Sequence, residues 1–319
     1  MERDLVVNVA KGLGFIYIRC VQKSSSRILW AHLALWTVAL TYGINYIWAK
    51  EVMPLWVEPS AFILIRVLGA SFLFLVLRSR AKWNWPDRKD LPRIALCGLF
   101  GVAANQLMFF HGLNLTSPIN ASIIMIISPM LVVLFGVLQK TESFHLRRGI
   151  GFFLAAAGAL GLILAGGKIS SILSHPIGDL LILGNACSYA GYLVLVHPLM
   201  KKYKALDVIQ WVFFFGLIIV LPFGLQGFLR VEWTELPDLI VAKIAFVVVA
   251  TTFLVYLLNL FAISVVGSGT VGLYIYLQPL LAGFFAFLSG MEQPHLAQVG
   301  WGLLILTGVV LGSRRISKN

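Results

Sequence analysis

The chain has 319 residues, of which 59% are hydrophobic and only 12% charged, and its mean hydropathy is +0.90. Soluble domains carry about a quarter charged residues, so water is excluded as the solvent for most of this surface. The net charge of +12 does not describe a nucleic-acid binder, because the basic residues sit at the ends of apolar stretches rather than among aromatics on a polar face.

A bilayer core of about 30 Å takes roughly 20 residues of helix. On that ruler, spans are predicted near 29–49, 60–77, 92–113, 120–138, 146–166, 178–199, 207–226, 239–262, 269–289 and 296–313. Residues 1–27 form an N-terminal extension, interfacial or poorly ordered, because the apolar run at 5–18 is short and is followed by Arg19, Lys23 and Arg27. It has no small-residue cleavage site of the kind a signal peptide needs. Residues 314–319 are a basic tail.

Lys and Arg collect in alternate connections. Arg3, Lys11, Arg19, Lys23 and Arg27 precede the first span, and Arg78, Arg80, Lys82, Arg88, Lys89 and Arg93 follow the second. Lys140, Arg147 and Arg148, then Lys201, Lys202 and Lys204, then Arg314, Arg315 and Lys318 continue the series. The other side receives only Lys50, Lys168, Arg230 and Lys243. Basic connections face the cytoplasm, so both termini are expected there, and the number of spans must be even. Cys20, Cys97 and Cys187 form no CxxC pair and read as ordinary thiols. Neither a metal nor a cofactor is expected.

The chain repeats itself. Pro129 is followed thirteen residues later by Glu142, and Pro279 thirteen residues later by Glu292. A shift near 150 also brings Gln106 onto Tyr256 and Ala121 onto Val271, and Tyr42-Gly-Ile-Asn45 overlies Tyr189-Ala-Gly-Tyr192 at a shift of 147. The expected architecture is an all-α polytopic membrane protein of ten transmembrane helices, built as two inverted five-helix repeats at 28–166 and 178–313. An odd number of spans per copy forces opposite orientations, the plan of secondary transporters with a site near the midplane.

These motifs resemble the drug/metabolite transporter superfamily in its ten-helix EamA-type branch. The resemblance is carried by Tyr42-Gly43-Ile-Asn45 with Lys50, by Pro59, Phe62 and Arg66, and by Gly112 through Ser122 with Pro129 and Glu142. In the second half Gly178-Asp179, Ser188-Tyr189-Ala190, Tyr256, Gln278-Pro279 and Glu292 carry it. It covers about residues 30–313 and implies a solute carrier, usually an exporter of small metabolites, typically in a bacterial inner membrane. The implied partners are a small-molecule substrate and the bilayer.

Candidate cavity residues are neutral polar and aromatic groups within the spans: Trp36, Tyr42, Asn45, Gln106, Asn120, Ser122, Asn185, Tyr189, Tyr192, Tyr256, Asn259, Tyr274 and Gln278. Amides and phenols offer donors and acceptors without a buried charge, which suits a neutral, zwitterionic or amphipathic solute. Arg66 is the one charge well inside a span, open either to an anionic group or to snorkelling toward the interface. Pro129 and Pro279 free the carbonyls of Met125 and Ile275 and are expected to kink gating helices. Gly308 and Gly312 offer a small-residue face for helix contact, within the chain or in a homodimer. An intramembrane enzyme would need a nucleophile–base pair or a metal cluster, and no such pattern is written in the sequence, so no catalytic residue is expected. A receptor or scaffold is the remaining alternative.

Overall fold

The computed structural model describes residues 2–79, 85–116, 121, 124–139, 145–165, 176–288 and 296–313, and the regular elements among them are helical. In chain order they are α1 (Glu2–Val52), α2 (Pro59–Ser79), α3 (Leu91–Leu115), α4 (Ser128–Leu138) and α5 (Leu146–Ala165). There follow α6 (Pro176–Lys202), α7 (Ala205–Leu229), α8 (Asp238–Val266), α9 and α10 (Leu296–Ser313). Helix α9 has three pieces: Ser268–Leu273, a 3-10 turn Tyr274–Tyr276, and Leu277–Leu288. Helix α1 continues back through the extension without a break.

Among the described residues, six helices are long and apolar enough to cross a bilayer: Ser26–Val52 of α1, then α2, α3, α6, α7 and α8. Shorter apolar helices accompany them. Large side chains such as Phe72, Phe153 and Phe223 point outward, each more than 60% exposed. Such a surface is stable only against lipid, where each backbone amide must be satisfied within its own helix.

Helices pack in close pairs: α2 with α7, α5 with α10, α4 with α9, α3 with α6, and α1 with α8. Glycine sets the approach in several of these. A Cβ on Gly308 would lie 2.4 Å from the Ala155 amide nitrogen, and one on Gly151 2.6 Å from Gly312. Gly308 and Gly312 thus serve a contact inside the chain, and using that face for a homodimer would require unpacking α5 from α10. Gly158 meets Ile305 and Gly161 meets Trp301, so this pair runs antiparallel. The α2–α7 pair is antiparallel too: Gly224 and Gly227 abut Ser60 and Glu58, while at the other end Arg78 pairs with Asp207.

Four irregularities were not expected. Helices α3 and α8 each widen into a π turn, at Leu99–Ala103 and Val247–Leu254. The predicted 120–138 span is not one kinked helix over its described residues, because Ile126 and Ile127 form a turn and Pro129 opens α4. Proline in a first helical turn costs nothing, since its missing amide has no intrahelical partner there. Pro279 likewise follows a local tightening, the 3-10 turn at 274–276.

Charges gather at the two ends of the bundle. At one end, with the Arg78–Asp207 pair, Lys202 binds Asp87 and Asp90, and the Tyr203 hydroxyl donates to Asp90 at 2.6 Å. At the opposite end Lys243 pairs with Glu51, and Thr116 donates to Asp179 at 2.6 Å. There too Lys50 donates to the Leu113 carbonyl at 2.8 Å, capping the end of α3 rather than facing a cavity.

Candidate functional site

The centre of the bundle holds a cavity of about 70 Å³, lined by Tyr42, Asn45, Arg66, Asn105, Gln106, Phe109, Phe110, Met125, Asn185, Tyr189, Tyr256 and Gln278. A water needs about 10–15 Å³ measured this way, so the space suits a few waters or one small polar fragment. A smaller cavity of about 10 Å³ adjoins it, sharing Tyr42, Tyr189 and Gln278 as walls and adding Asn259, Tyr274 and the apolar Leu35, Val38 and Val271.

Helical spacing explains how each element reaches the centre. Tyr42 and Asn45 lie three residues apart on α1, and Asn185 and Tyr189 four apart on α6, so each pair shares a face. On α3 the same rule adds Phe109 and Phe110 to Gln106. These aromatics were not singled out in the sequence, although their spacing from Gln106 was available. The amide of Asn185 donates to the Asn105 carbonyl at 2.8 Å, locking α6 to α3 beside the cavity.

The π turns border the site. A π turn loosens carbonyls from the normal ladder, and such turns are frequent at functional sites. Here Ser188 donates to the Phe100 carbonyl at 2.7 Å, and the Tyr256 hydroxyl donates to that of Gly101. Gly101 is required, because a Cβ there would stand 2.3 Å from the Tyr192 ring. In α8, Thr251 and Thr252 both donate to the Val247 carbonyl, at 2.7 and 2.8 Å. The Thr252 oxygen in turn accepts a 3.0 Å hydrogen bond from Arg66 Nε.

Arg66 is only 3% exposed, so it does not snorkel. Its guanidinium carbon lies 4.4 Å from the Phe110 ring centre and 5.9 Å from that of Phe62. Among the described residues, its Nη1 has no hydrogen-bond partner and no carboxylate forms an ion pair with it. Burying such an ion costs several kcal/mol, whereas cation–π contacts return about 0.5–2 and one hydrogen bond to a charged group about 1.5–3. No carboxylate among the described residues neutralises the charge. Among the described residues, Arg66 is the only Lys or Arg on the cavity wall, and no Asp or Glu lines it.

Of the sequence candidates, Tyr42, Asn45, Arg66, Gln106, Asn185, Tyr189, Tyr256 and Gln278 converge on the central cavity. Asn259 and Tyr274 reach the adjoining one. Tyr192 lies behind the wall, packed on Gly101 and 6.2 Å ring to ring from Tyr256. Trp36 is 38% exposed and meets Tyr274 edge-on; it lines neither cavity. Tyr274 also bonds His32 Nδ1 at 2.7 Å. Asn120 and Ser122 lie outside the described residues.

A helical bundle with a lipid-facing apolar surface and a central cavity edged by amide and phenol side chains defines a polytopic membrane protein. The model of the EamA-like transporter family matches residues 29–164 and again 176–314. The chain belongs to that family, within the drug/metabolite transporters, and is a membrane transporter. It is 28% identical over 285 residues to an "Uncharacterized transporter" of Archaeoglobus fulgidus, covering 88% of this chain and 96% of the relative. It is 28% identical over 241 residues to a "Probable terminal-alkyne amino-acid exporter" of Streptantibioticus cattleyicolor, covering 72% and 75%. A solved crystal structure superposes with a TM-score of 0.69 at 17% identity, over 88% of this chain and 95% of that one, a likeness of fold.

Proposed function

We propose that this transporter is a secondary carrier of small neutral, zwitterionic or amphipathic metabolites, working by alternating access in the export direction. Its ten transmembrane helices form two inverted repeats, 28–166 and 178–313, that rock about the central cavity. It resides in a bacterial inner membrane with both termini cytoplasmic.

The observation that carries this reading is the exchange symmetry of the packing. Renaming each helix by its counterpart five places on turns the α3–α6 contact into α8–α1, α4–α6 into α9–α1, and α3–α7 into α8–α2, all of which occur. The pairs α2–α7, α4–α9 and α5–α10 map onto themselves. Where a pair maps onto itself through a two-fold axis in the membrane plane, its members run antiparallel, as α2–α7 and α5–α10 do. The π turns in α3 and α8 are separated by the same shift near 150 that relates the two halves, and the family model matches each half separately. Pro129 and Pro279, each beginning a helical piece after a local break, are the expected hinges of the moving elements.

Proteoliposomes holding the purified chain test this with a panel of amino acids, aromatic metabolites and organic cations, with and without a pH gradient. Saturable movement of one class, reduced at least about tenfold by Asn45→Ala or Tyr42→Ala, is the expected result. Folded protein that binds a solute without moving any would replace the carrier with a receptor.

A further inference from the structure

We propose that Arg66 is the carboxylate-binding residue of the central cavity, and that the carried solute presents one carboxylate to the unpartnered Nη1 edge of its guanidinium. This rests on the carrier reading above and narrows its substrate class.

Among the described residues lining it, the cavity carries one fixed positive charge and no fixed negative one. Arginine keeps its proton in proteins, so the charge is permanent. The Thr252 hydroxyl holds Nε and the Phe110 ring covers one face. Nη1 is left buried at the cavity wall, without a hydrogen-bond partner among the described residues. A planar guanidinium held this way matches a carboxylate in shape and charge. A cationic solute would be repelled, and a dianion would leave its second charge uncompensated among neutral side chains. A single carboxylate satisfies the site.

The rest of the lining reads the rest of the solute. The amide oxygens of Asn45 and Asn185 are buried acceptors without a donor among the described residues, suited to an ammonium or hydroxyl. Phe109 and the neighbouring phenols supply apolar area. An amino acid and a simple organic acid share the carboxylate, and the two are separable by probes.

The test is equilibrium binding to the purified full-length chain in detergent, followed by tryptophan fluorescence. The probes are L-phenylalanine, phenylacetate, L-phenylalaninamide and phenethylamine, with L-alanine, propionate, L-alaninamide and ethylamine as a smaller set. The expected result is that a carboxylate probe binds at least about tenfold more tightly than its amide or amine counterpart, the range one charge-assisted hydrogen bond supports. Arg66→Gln should abolish that preference, while Arg66→Lys retains part of it. Phenylacetate equal to phenylalanine identifies an organic-acid site, and phenylalanine alone identifies one that also reads the ammonium; either supports the carboxylate assignment.

The proposal is overturned if the wild-type chain binds the amide as tightly as the acid, if none of the eight probes binds at millimolar concentration, or if Arg66→Gln keeps the preference. Should Arg66→Gln fail to give a monodisperse protein, the wild-type comparison of acid with amide decides alone. Carboxylate-selective binding without transport would sink the carrier reading and spare this one. Transport of amides and amines, unchanged by Arg66→Gln, would do the reverse.

Discussion

Tyr256 illustrates how one side chain serves both architecture and site. Its hydroxyl donates to the Gly101 carbonyl in the π turn of α3, and its ring packs edge-on against Phe213 with centres 4.9 Å apart while lining the cavity. Tyr256→Phe keeps the ring and deletes the bond. Hydrogen bonds between membrane helices are worth about 0.6 kcal/mol on average and seldom more than about 1.7. The expected loss of stability is therefore small, read as a thermal shift of a few degrees in detergent. A collapse of the fold would mean that the π turn depends on this bond. Solute affinity should change more than stability, because the freed carbonyl of Gly101 then competes for groups in the cavity. At this scale the sequence was informative about polar lining and mute about its environment. Asn45, Gln106 and Gln278 are recognisable because an amide inside an apolar span is costly unless used. Whether Arg66 turned inward or outward depends on Thr252, 186 residues away, and no local pattern encodes that partner.

Helix pairs carry the next level of stability, and α2–α7 offers the sharpest test. Arg78 and Asp207 are buried, with side chains 1% and 11% exposed. Asp207→Asn removes one charge of the pair, a change that costs about 3–5 kcal/mol where a buried pair is broken. Replacing both, as in Arg78→Met with Asp207→Leu, should cost markedly less than the single change. Denaturation of all three variants in the same detergent measures this, and equal losses for single and double variants would show that the pair is not the determinant. The α3–α6 contact behaves differently, because its charges face water. Lys202 and the Tyr203 hydroxyl hydrogen-bond to Asp90 and hold its carboxyl below the ordinary carboxylate range. A depressed carboxyl contributes stability above the unfolded value of about 4 and loses it as pH falls through the lower folded value. The chain should therefore weaken at this end below about pH 4, and Asp90→Asn should remove that acid sensitivity at a cost under about 1 kcal/mol at neutral pH. The helices themselves were legible, since runs of apolar residues of bilayer length leave one solution for the backbone. The observed Leu296–Ser313 coincides with its predicted span. Their π turns were not legible, because a widened turn is fixed by what reaches its carbonyls from other helices, here Ser188 and Tyr256.

For the whole molecule, the ion pairs at opposite ends of the bundle bear on how the two halves move. Lys243–Glu51 joins α8 to α1, and Lys202–Asp87 joins α6 to the segment before α3; each links the proposed first repeat to the second. Rocking about the central cavity requires these contacts to open in turn, since a rigid half cannot separate from its partner at both ends at once and still keep the site closed. Cysteine pairs placed at 51 and 243, or at 87 and 202, in a chain lacking Cys20, Cys97 and Cys187, allow either end to be tied with a short thiol cross-linker. Either tie alone should abolish transport, and a reducible linker should restore it on reduction. Solute binding in detergent should survive each tie, because one end remains free to admit the solute. Transport that persists with one end tied would mean that the path does not run between the halves at that end. Loss of binding under both single ties would mean that the central cavity fills only when both ends move. The two outcomes separate a rocking carrier from a fixed pore, which neither tie would close unless the linker itself lay in the path.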